Sequence, residues 1–155
     1  MYQLYSYYEA KQYKDAVQLT RTIISTDNDN VNMLLIGAKA AAAAKDYSQS
    51  NEWLQKARLQ LMDNDGANIW HALAENAFLE GKPLQADKYY DTAIYIYHLP
   101  YSYYLKGEHY MKSGKKELAR KQFLKYQNHP FVRVDTSATN KAILKYIAQV
   151  MEEKK

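Results

Sequence analysis

The sequence has no cysteine, and only 5 glycines and 3 prolines among its 155 residues. Without cysteine the chain can form no disulfide, no thiolate nucleophile and no Cys-based zinc site. The scarcity of glycine and proline argues against a sheet-rich fold with many tight turns, and it favours helices. A length of 155 residues suits one compact domain or one short repeat array, and 47% hydrophobic with 25% charged residues is an ordinary globular composition.

Long apolar runs are also missing. The longest, at 33–44, is interrupted by Lys39, and it is far short of the roughly 20 residues that a membrane-spanning helix needs. The first residues, MYQLYSYYEAK, lack the basic start, the apolar core and the cleavage site of a signal peptide. We therefore expect a cytoplasmic protein, or a periplasmic or envelope-associated one if this sequence is a piece without its export signal.

Tyrosine, by contrast, is abundant, with 16 Tyr against 3 Phe and 2 Trp. Its ring and hydroxyl suit helix seams and a binding surface that is apolar yet hydrated. Charge is unevenly distributed, since residues 1–77 carry seven Lys/Arg and nine Asp/Glu, whereas residues 78–155 carry fourteen and eight. The basic C-terminal half suits an acidic protein, nucleic acid or anionic lipid, or it is simply a solvated helix face.

A short pattern recurs four times along the chain. A small residue anchors each copy, at Ala16, Ser50, Ala86 and Ala119, with intervals of 34, 36 and 33 residues. This period suits two antiparallel helices of about 12–14 residues joined by short turns.

The copies also have the pattern of helix pairs. In the third copy, apolar residues recur at helical spacing from Ile69 to Phe78, and Gly81-Lys82-Pro83 then ends one helix and begins the next. Two clusters of turn-forming and helix-capping residues separate the copies, DNDN at 27–30 and DNDG at 63–66.

These copies resemble the tetratricopeptide (TPR) repeat. Two segments carry the resemblance: Trp70-x-x-Leu73-Ala74-x-x-Ala77 followed by Ala86-x-x-x-Tyr90-x-x-Ala93, and Tyr103-x-x-Lys106-Gly107-x-x-Tyr110 followed by Ala119-x-x-x-Phe123-x-x-Tyr126. The resemblance extends over about residues 1–130. It is weaker in the second copy, where Ser50 replaces the family's alanine, and weakest in the first, whose first helix has at most about 11 residues.

The resemblance implies an all-α, TPR-type α-solenoid of about four helix-turn-helix repeats, with units at about 1–29, 30–65, 66–99 and 100–130. The short first unit leaves that end poorly covered. Either the sequence is cut from a longer chain, or another subunit packs there and makes an oligomer or assembly.

Residues 131–155 are expected to form a connector and a C-terminal capping helix. In the connector, Val132 and Val134 are predicted to run briefly extended. From Ile143 to Met151 apolar residues follow the i, i+3, i+4, i+7, i+8 spacing of a helix. Such a helix covers the apolar face that the last repeat would otherwise expose.

Motifs for catalysis are not found. The glycines stand far apart, so no phosphate-binding loop is present, and neither a nucleophile elbow nor a His-Glu-x-x-His motif occurs. His71 and Glu75 are spaced i, i+4, but a metal site needs at least one further ligand. We expect no enzymatic activity, no metal and no cofactor.

The TPR resemblance further implies a binding surface, because in this family the first helix of each pair lines a concave groove. Residues at matching places in successive repeats form columns, which here are Tyr5, Lys39, Glu75 and Glu108; Leu35, His71 and Tyr104; Tyr8, Ala42, Phe78 and Met111; and, at the groove edge, Asn32, Asn68 and Tyr101.

These residue types suit a protein ligand. An asparagine amide can both donate to and accept from a partner's backbone, while Tyr, Phe and Met supply apolar area. A second interpretation assigns one column, from Tyr8 to Met111, to the core between repeats. Tyr101, Tyr104, His71 and Asn68 are expected to lie off the apolar stripes.

Two ligand classes are not expected. TPR domains that clamp a chaperone's C-terminal carboxylate use Lys, Asn and Arg where this chain has Tyr5, Ile36, Asn68 and Ala72. The basic cluster around the second helix of unit four is expected on the convex face without interleaved aromatic rings, which argues against nucleic acid. It comprises Lys112, Lys115, Lys116, Arg120, Lys121 and Lys125.

The predicted function is therefore a non-enzymatic protein–protein interaction module. It would bind an extended or helical amphipathic segment of a partner in its concave groove, as an adaptor, scaffold or chaperone. The alternative is a structural subunit of an oligomer or of a larger bacterial secretion, pilus or envelope assembly.

Overall fold

The computed structural model describes residues 2–26, 30–61 and 65–152, and these residues contain ten α-helices and no strand. In chain order the helices are α1 (Tyr2–Glu9), α2 (Tyr13–Thr26), α3 (Val31–Ala43), α4 (Tyr47–Arg58), α5 (Asp65–Leu79), α6 (Pro83–Tyr97), α7 (Pro100–Lys112), α8 (Lys116–Gln127), α9 (Pro130–Val134) and α10 (Ala138–Glu152). The predicted all-α fold is confirmed. Most of the DNDN cluster and the first two residues of DNDG lie outside the described residues, but Asn30 caps α3 by accepting from the Met33 N–H.

The same turn ends α1, α3, α5 and α7. Lys11, Lys45, Gly81 and Gly114 have positive φ values of 59°, 64°, 76° and 71°. Each of their N–H groups donates to the carbonyl three residues earlier, and the next N–H donates to the carbonyl five residues earlier. This pair of bonds is the Schellman motif. Its spacing of 34, 36 and 33 residues equals that of the small anchor residues, so the backbone repeats with the sequence.

The four anchor residues are buried. Ala16, Ala86 and Ala119 are fully buried, and Ser50 is nearly so. A small side chain at this place allows two helices to approach closely, which explains why the anchors recur.

The described chain divides into two compact units, Met1–Tyr89 and Tyr90–Lys155, with the division inside α6. These units are defined by contacts within the structure, and they leave the four-repeat division of the sequence a prediction.

Small side chains dominate the interior of the first unit where α3 packs against α2 and α4. Gly37, Ala38, Ala40 and Ala41 are buried along α3. A Cβ added at Gly37 would lie 2.3 Å from Cγ2 of Thr20 on α2, so these two helices are already in contact at this point.

Aromatic side chains dominate the interior of the second unit. Tyr110, Phe123 and Tyr126 are buried there. A Cβ added at Gly107 would lie 2.4 Å from the Phe123 ring, so α7 and α8 also meet through a glycine, but against a ring. From α10, Ile143 and Ile147 pack into the same core.

The predicted extended stretch at Val132 and Val134 is wrong, because both residues lie in the short helix α9. Pro130 occupies the first turn of α9, where its missing N–H costs nothing. Asn140 of α10 then secures the segment. Its Nδ2 donates to the carbonyls of Val132, at 2.9 Å, and Asp135, at 2.7 Å.

Candidate functional site

A cavity of about 760 Å³ lies in the first unit and is lined by residues of α1, α3, α4 and α5. Six of the residues that the TPR columns predict for a groove line it: Tyr8, Asn32, Leu35, Lys39, Asn68 and Glu75. Ala42, from the same columns, lines it as well. The columns therefore correspond to a real surface in this unit.

The alanines of α3 make room for this cavity. Ala38, Ala42 and Ala43 line it, and a methyl group at each place leaves open the volume that a larger side chain would occupy. Leu35 of α3 and Leu54 of α4 add apolar wall. A mainly apolar cavity with a few polar groups is the usual form of a ligand site.

Polar side chains stand at the cavity's edge. Asn32 and Lys39 on α3 and Asn68 on α5 are exposed, and Glu75 is half-buried. The cavity thus carries both signs of charge, and two amides that can donate and accept hydrogen bonds.

One wall of the cavity is held by a polar contact that sequence reasoning missed. Asn76 of α5 is buried, and its Nδ2 donates to Ser50 Oγ at 2.8 Å and to Asn51 Oδ1 at 2.9 Å. This contact explains why Ser50 stands where the TPR pattern has alanine. The departure from the pattern was itself the signal.

Three predicted groove residues of the first unit do not line the cavity. Tyr5 is 48% exposed, while His71 and Phe78 are half-buried. Burial lowers the pKa of His71 to about 4, so its imidazole is neutral at pH 7. Within the described residues, no group of three or more His, Asp or Glu side chains is placed to hold a metal ion.

In the second unit the predicted residues Tyr101, Tyr104, Glu108 and Met111 follow one another at the spacing of a single face of α7. Tyr101 is 44% exposed and the others are half-buried. The expectation that Tyr104 lies off the apolar stripe is wrong, because it packs against the aromatic core, 6.2 Å from Phe123 between ring centroids.

Tyr104 has a perturbed hydroxyl. Burial, and then the negative charge of Glu108, raises the pKa of Tyr104 to about 12, with smaller contributions from Tyr101 and Tyr126. Glu108 therefore lies near enough to Tyr104 to act on it electrostatically.

A smaller cavity of about 260 Å³ lies beside α9 in the second unit. Tyr101, Tyr126 and Asn140 line it, and Phe131, which is 71% exposed, stands at its side. Burial, together with the charges of Asp135 and Tyr101, raises the pKa of Tyr126. Its hydroxyl donates to Asn140 Oδ1 at 2.7 Å. The segment from Gln127 to Ser137 was treated as a connector, so this cavity was missed.

All six residues of the basic cluster, from Lys112 to Lys125, are exposed. The expectation that no aromatic ring lies among them is wrong. Lys115 Nζ is 5.9 Å from the ring centroid of Tyr110, and Lys125 Nζ is 5.6 Å from that of Tyr103. Lysine stems and amines thus cover aromatic rings at this surface.

A buried lysine was also missed. Lys106 is 6% exposed, and its Nζ contacts Asp91 Oδ1 of α6 at 2.6 Å. Its Nζ also lies 5.6 Å from the Tyr110 ring centroid. In the sequence Lys106 appears only inside the repeat pattern, where nothing marks it as buried.

No protein-family model matches the sequence, and no curated protein sequence matches it. Among solved structures, one crystal structure of MamA has a TM-score of 0.64 and 18% identity, covering 96% of this chain and 92% of that chain. A second MamA structure has a TM-score of 0.64 and 17% identity, covering 96% of this chain and 84% of that chain. PilF of Pseudomonas aeruginosa has a TM-score of 0.67 and 16% identity, covering 97% of this chain and 67% of that chain.

MamA and PilF both contain TPR repeats. At these identities the likeness bears on the fold alone. No helix among the described residues combines the length and the apolar character that crossing a bilayer requires. The chain therefore has an all-helical fold similar to that of TPR-type solenoids.

Proposed function

We propose that this protein is a non-enzymatic protein-interaction module that holds a segment of a partner protein in the cavity of its first unit. The observation that carries the proposal is the cavity of about 760 Å³, with its alanine and leucine walls and its asparagine and charged edge. Burial of apolar side chains supplies most of the affinity in such a site, while a few polar groups set orientation.

The two edge amides favour an extended segment over a helical one. Asn32 and Asn68 are exposed and line the cavity. An extended peptide has backbone N–H and C=O groups free to pair with amides, whereas a helix has used most of its own. The side chains of such a segment would alternate between the apolar wall and solvent.

A peptide-library selection tests this proposal. A random peptide library is selected on the immobilised protein, and recovered peptides are measured by fluorescence anisotropy. The variant Asn68→Trp places a large side chain in the cavity from an exposed position, and we expect it to weaken binding by about tenfold or more. Gln18→Trp, on an exposed site of α2 away from the cavity lining, is the matched control and should bind normally.

Light scattering on the same variants separates the structural-subunit alternative. If the chain self-associates, and Asn68→Trp changes its mass while no peptide is ever enriched, the cavity is an assembly contact rather than a peptide site. Equal peptide binding by Asn68→Trp and Gln18→Trp would place the ligand elsewhere.

A further inference from the structure

Glu108, on α7 of the second unit, has a buried carboxylate oxygen without a hydrogen bond. Its Oε1 is inaccessible to solvent and accepts no hydrogen bond within the described part of the chain. None of the ion pairs among the described residues includes Glu108. Lys112 stands one turn later, at the spacing usual for a helical Glu–Lys pair, and still makes no pair with it.

Such an oxygen is unusual in a folded protein. Buried polar atoms almost always have a partner, and those without one mark a place where a ligand, ion or water completes the structure. A buried carboxylate oxygen left without a donor is more costly than a neutral group in the same place. Glu108 as a residue is only half-buried. Because the last torsion of a glutamate side chain is soft, either oxygen can turn toward an incoming group.

Aromatic rings stand next to this carboxylate. The Tyr104 ring centroid is 5.5 Å from that of Tyr101, and it is 6.3 Å from that of Tyr146 on α10, at an interplanar angle of 87°. The charge of Glu108 acts on the Tyr104 hydroxyl, which shows that carboxylate and ring belong to one neighbourhood. Aromatic faces attract cations, and lysines of this unit already lie over Tyr110 and Tyr103 but not, among the described residues, over Tyr104.

We propose that the strip of α7 formed by Tyr101, Tyr104, Glu108 and Met111 binds an arginine or lysine side chain of a partner protein, with Glu108 as its counter-ion. This inference rests on the proposed function. Arginine fits better than lysine, because its planar guanidinium stacks on a tyrosine ring and pairs with a carboxylate through two N–H groups at once. Met111 supplies apolar surface for the methylene stem of the bound side chain.

The test uses peptides recovered from a random library by the full-length wild-type protein. We expect them to be enriched in Arg or Lys, and we expect the enrichment to disappear when the selection is repeated on Glu108→Gln. The glutamine keeps the shape of the side chain and removes its charge. Glu152→Gln, at an exposed site near the end of α10, is the matched control and should keep the enrichment.

A second measurement needs no protein variant. In a synthetic peptide, the critical arginine is replaced by citrulline, which has the same shape without the charge, and by lysine. Wild-type protein should lose about tenfold or more in affinity for the citrulline peptide and about two- to fivefold for the lysine peptide. With Glu108→Gln, arginine and citrulline peptides should bind within about twofold of each other.

The outcomes separate this inference from the proposed function. If no peptide is enriched on any form of the protein, the proposed function fails and this inference fails with it. If peptides bind the cavity of the first unit but wild-type protein does not distinguish arginine from citrulline, only the Glu108 inference is overturned. A basic preference that persists unchanged in Glu108→Gln overturns it equally.

Discussion

The helices α3 and α7 take the same place in the repeat, and they occupy it in opposite ways. Each ends in the same Schellman turn, at Lys45 and at Gly114, and each contains a glycine that meets its neighbouring helix. α3 carries alanines along a cavity of about 760 Å³, whereas Tyr101 of α7 lines one of only about 260 Å³. A backbone that repeats faithfully therefore allows side-chain volume to vary, and that volume determines where a ligand can enter.

The two units also differ in the polar contacts between their helices. In the second unit the contact is ionic, between the buried Lys106 and Asp91. We expect Asp91→Ala to lower the free energy of unfolding by about 3 kcal/mol, because it leaves a buried ammonium without its counter-ion. Urea unfolding followed by circular dichroism measures this. The exposed pair Glu52–Lys56 of the first unit is the control, and Glu52→Ala should cost less than about 0.5 kcal/mol. Equal losses would mean that Lys106 is solvated in solution.

The glycines at the helix contacts give the next largest effect. Gly37→Ala and Gly107→Ala should each lower the free energy of unfolding by about 2 kcal/mol, because the new methyl overlaps Thr20 or Phe123. Their rescue should differ. At Gly107 all the nearest atoms belong to the Phe123 ring, so Phe123→Leu should recover part of the loss. At Gly37 one of them is Thr20 Cβ, at 2.9 Å, so Thr20→Ser should recover little. Double-mutant cycles measure both, and identical rescue would contradict the difference.

The units should also respond oppositely to pH. His71 of the first unit has a pKa lowered by burial to about 4. The unfolded chain therefore takes up its proton first, and stability present above pH 6.5 is lost as pH falls toward 4. Between pH 7.5 and 5 we expect a loss of about 1–2 kcal/mol that is absent in His71→Gln. Tyr104 of the second unit has a pKa raised to about 12, so its contribution is lost only as pH rises above 10. A variant with the same pH slope as wild type below pH 7 would show that His71 is solvated.

In the first unit the contact between helices is neutral, from Asn76 to Ser50. Ser50→Ala restores the alanine of the TPR pattern, and yet we expect it to cost about 1–2 kcal/mol, because the buried Asn76 amide loses an acceptor. The double variant with Asn76→Leu removes the amide as well, and it should cost less than the sum of the two single changes. Denaturant melts of the four proteins decide this. Strict additivity would mean that the bond contributes nothing.

Much of the fold was accessible from the sequence, because small anchors at nearly constant intervals report where helices must approach closely. Most of the first unit's cavity lining followed from the same register. The partners of Ser50 and Asn140 did not, since each depends on a side chain or carbonyl brought in by the fold. The alternation at Val132 and Val134 predicted an extended stretch, but Pro130 and the bonds from Asn140 override so short a pattern. Cavity volume also could not be predicted, because it depends on how neighbouring helices fill the space.

The smallest effect concerns the turns that make α3 and α7 comparable. Lys45 adopts a positive φ of 64° with a side chain, whereas Gly114 adopts 71° without one. A Cβ added at Gly114 meets no atom within 4 Å, so Gly114→Ala should cost about 1 kcal/mol through backbone strain alone. Lys45→Gly should gain about 0.5 kcal/mol, since relief of strain slightly exceeds the entropy that glycine gains on unfolding. Lys45→Ala keeps the Cβ and should gain nothing, which separates the backbone effect from loss of the lysine side chain. Thermal and urea melts that rank Lys45→Ala above Lys45→Gly would show that this turn is not strained at Lys45.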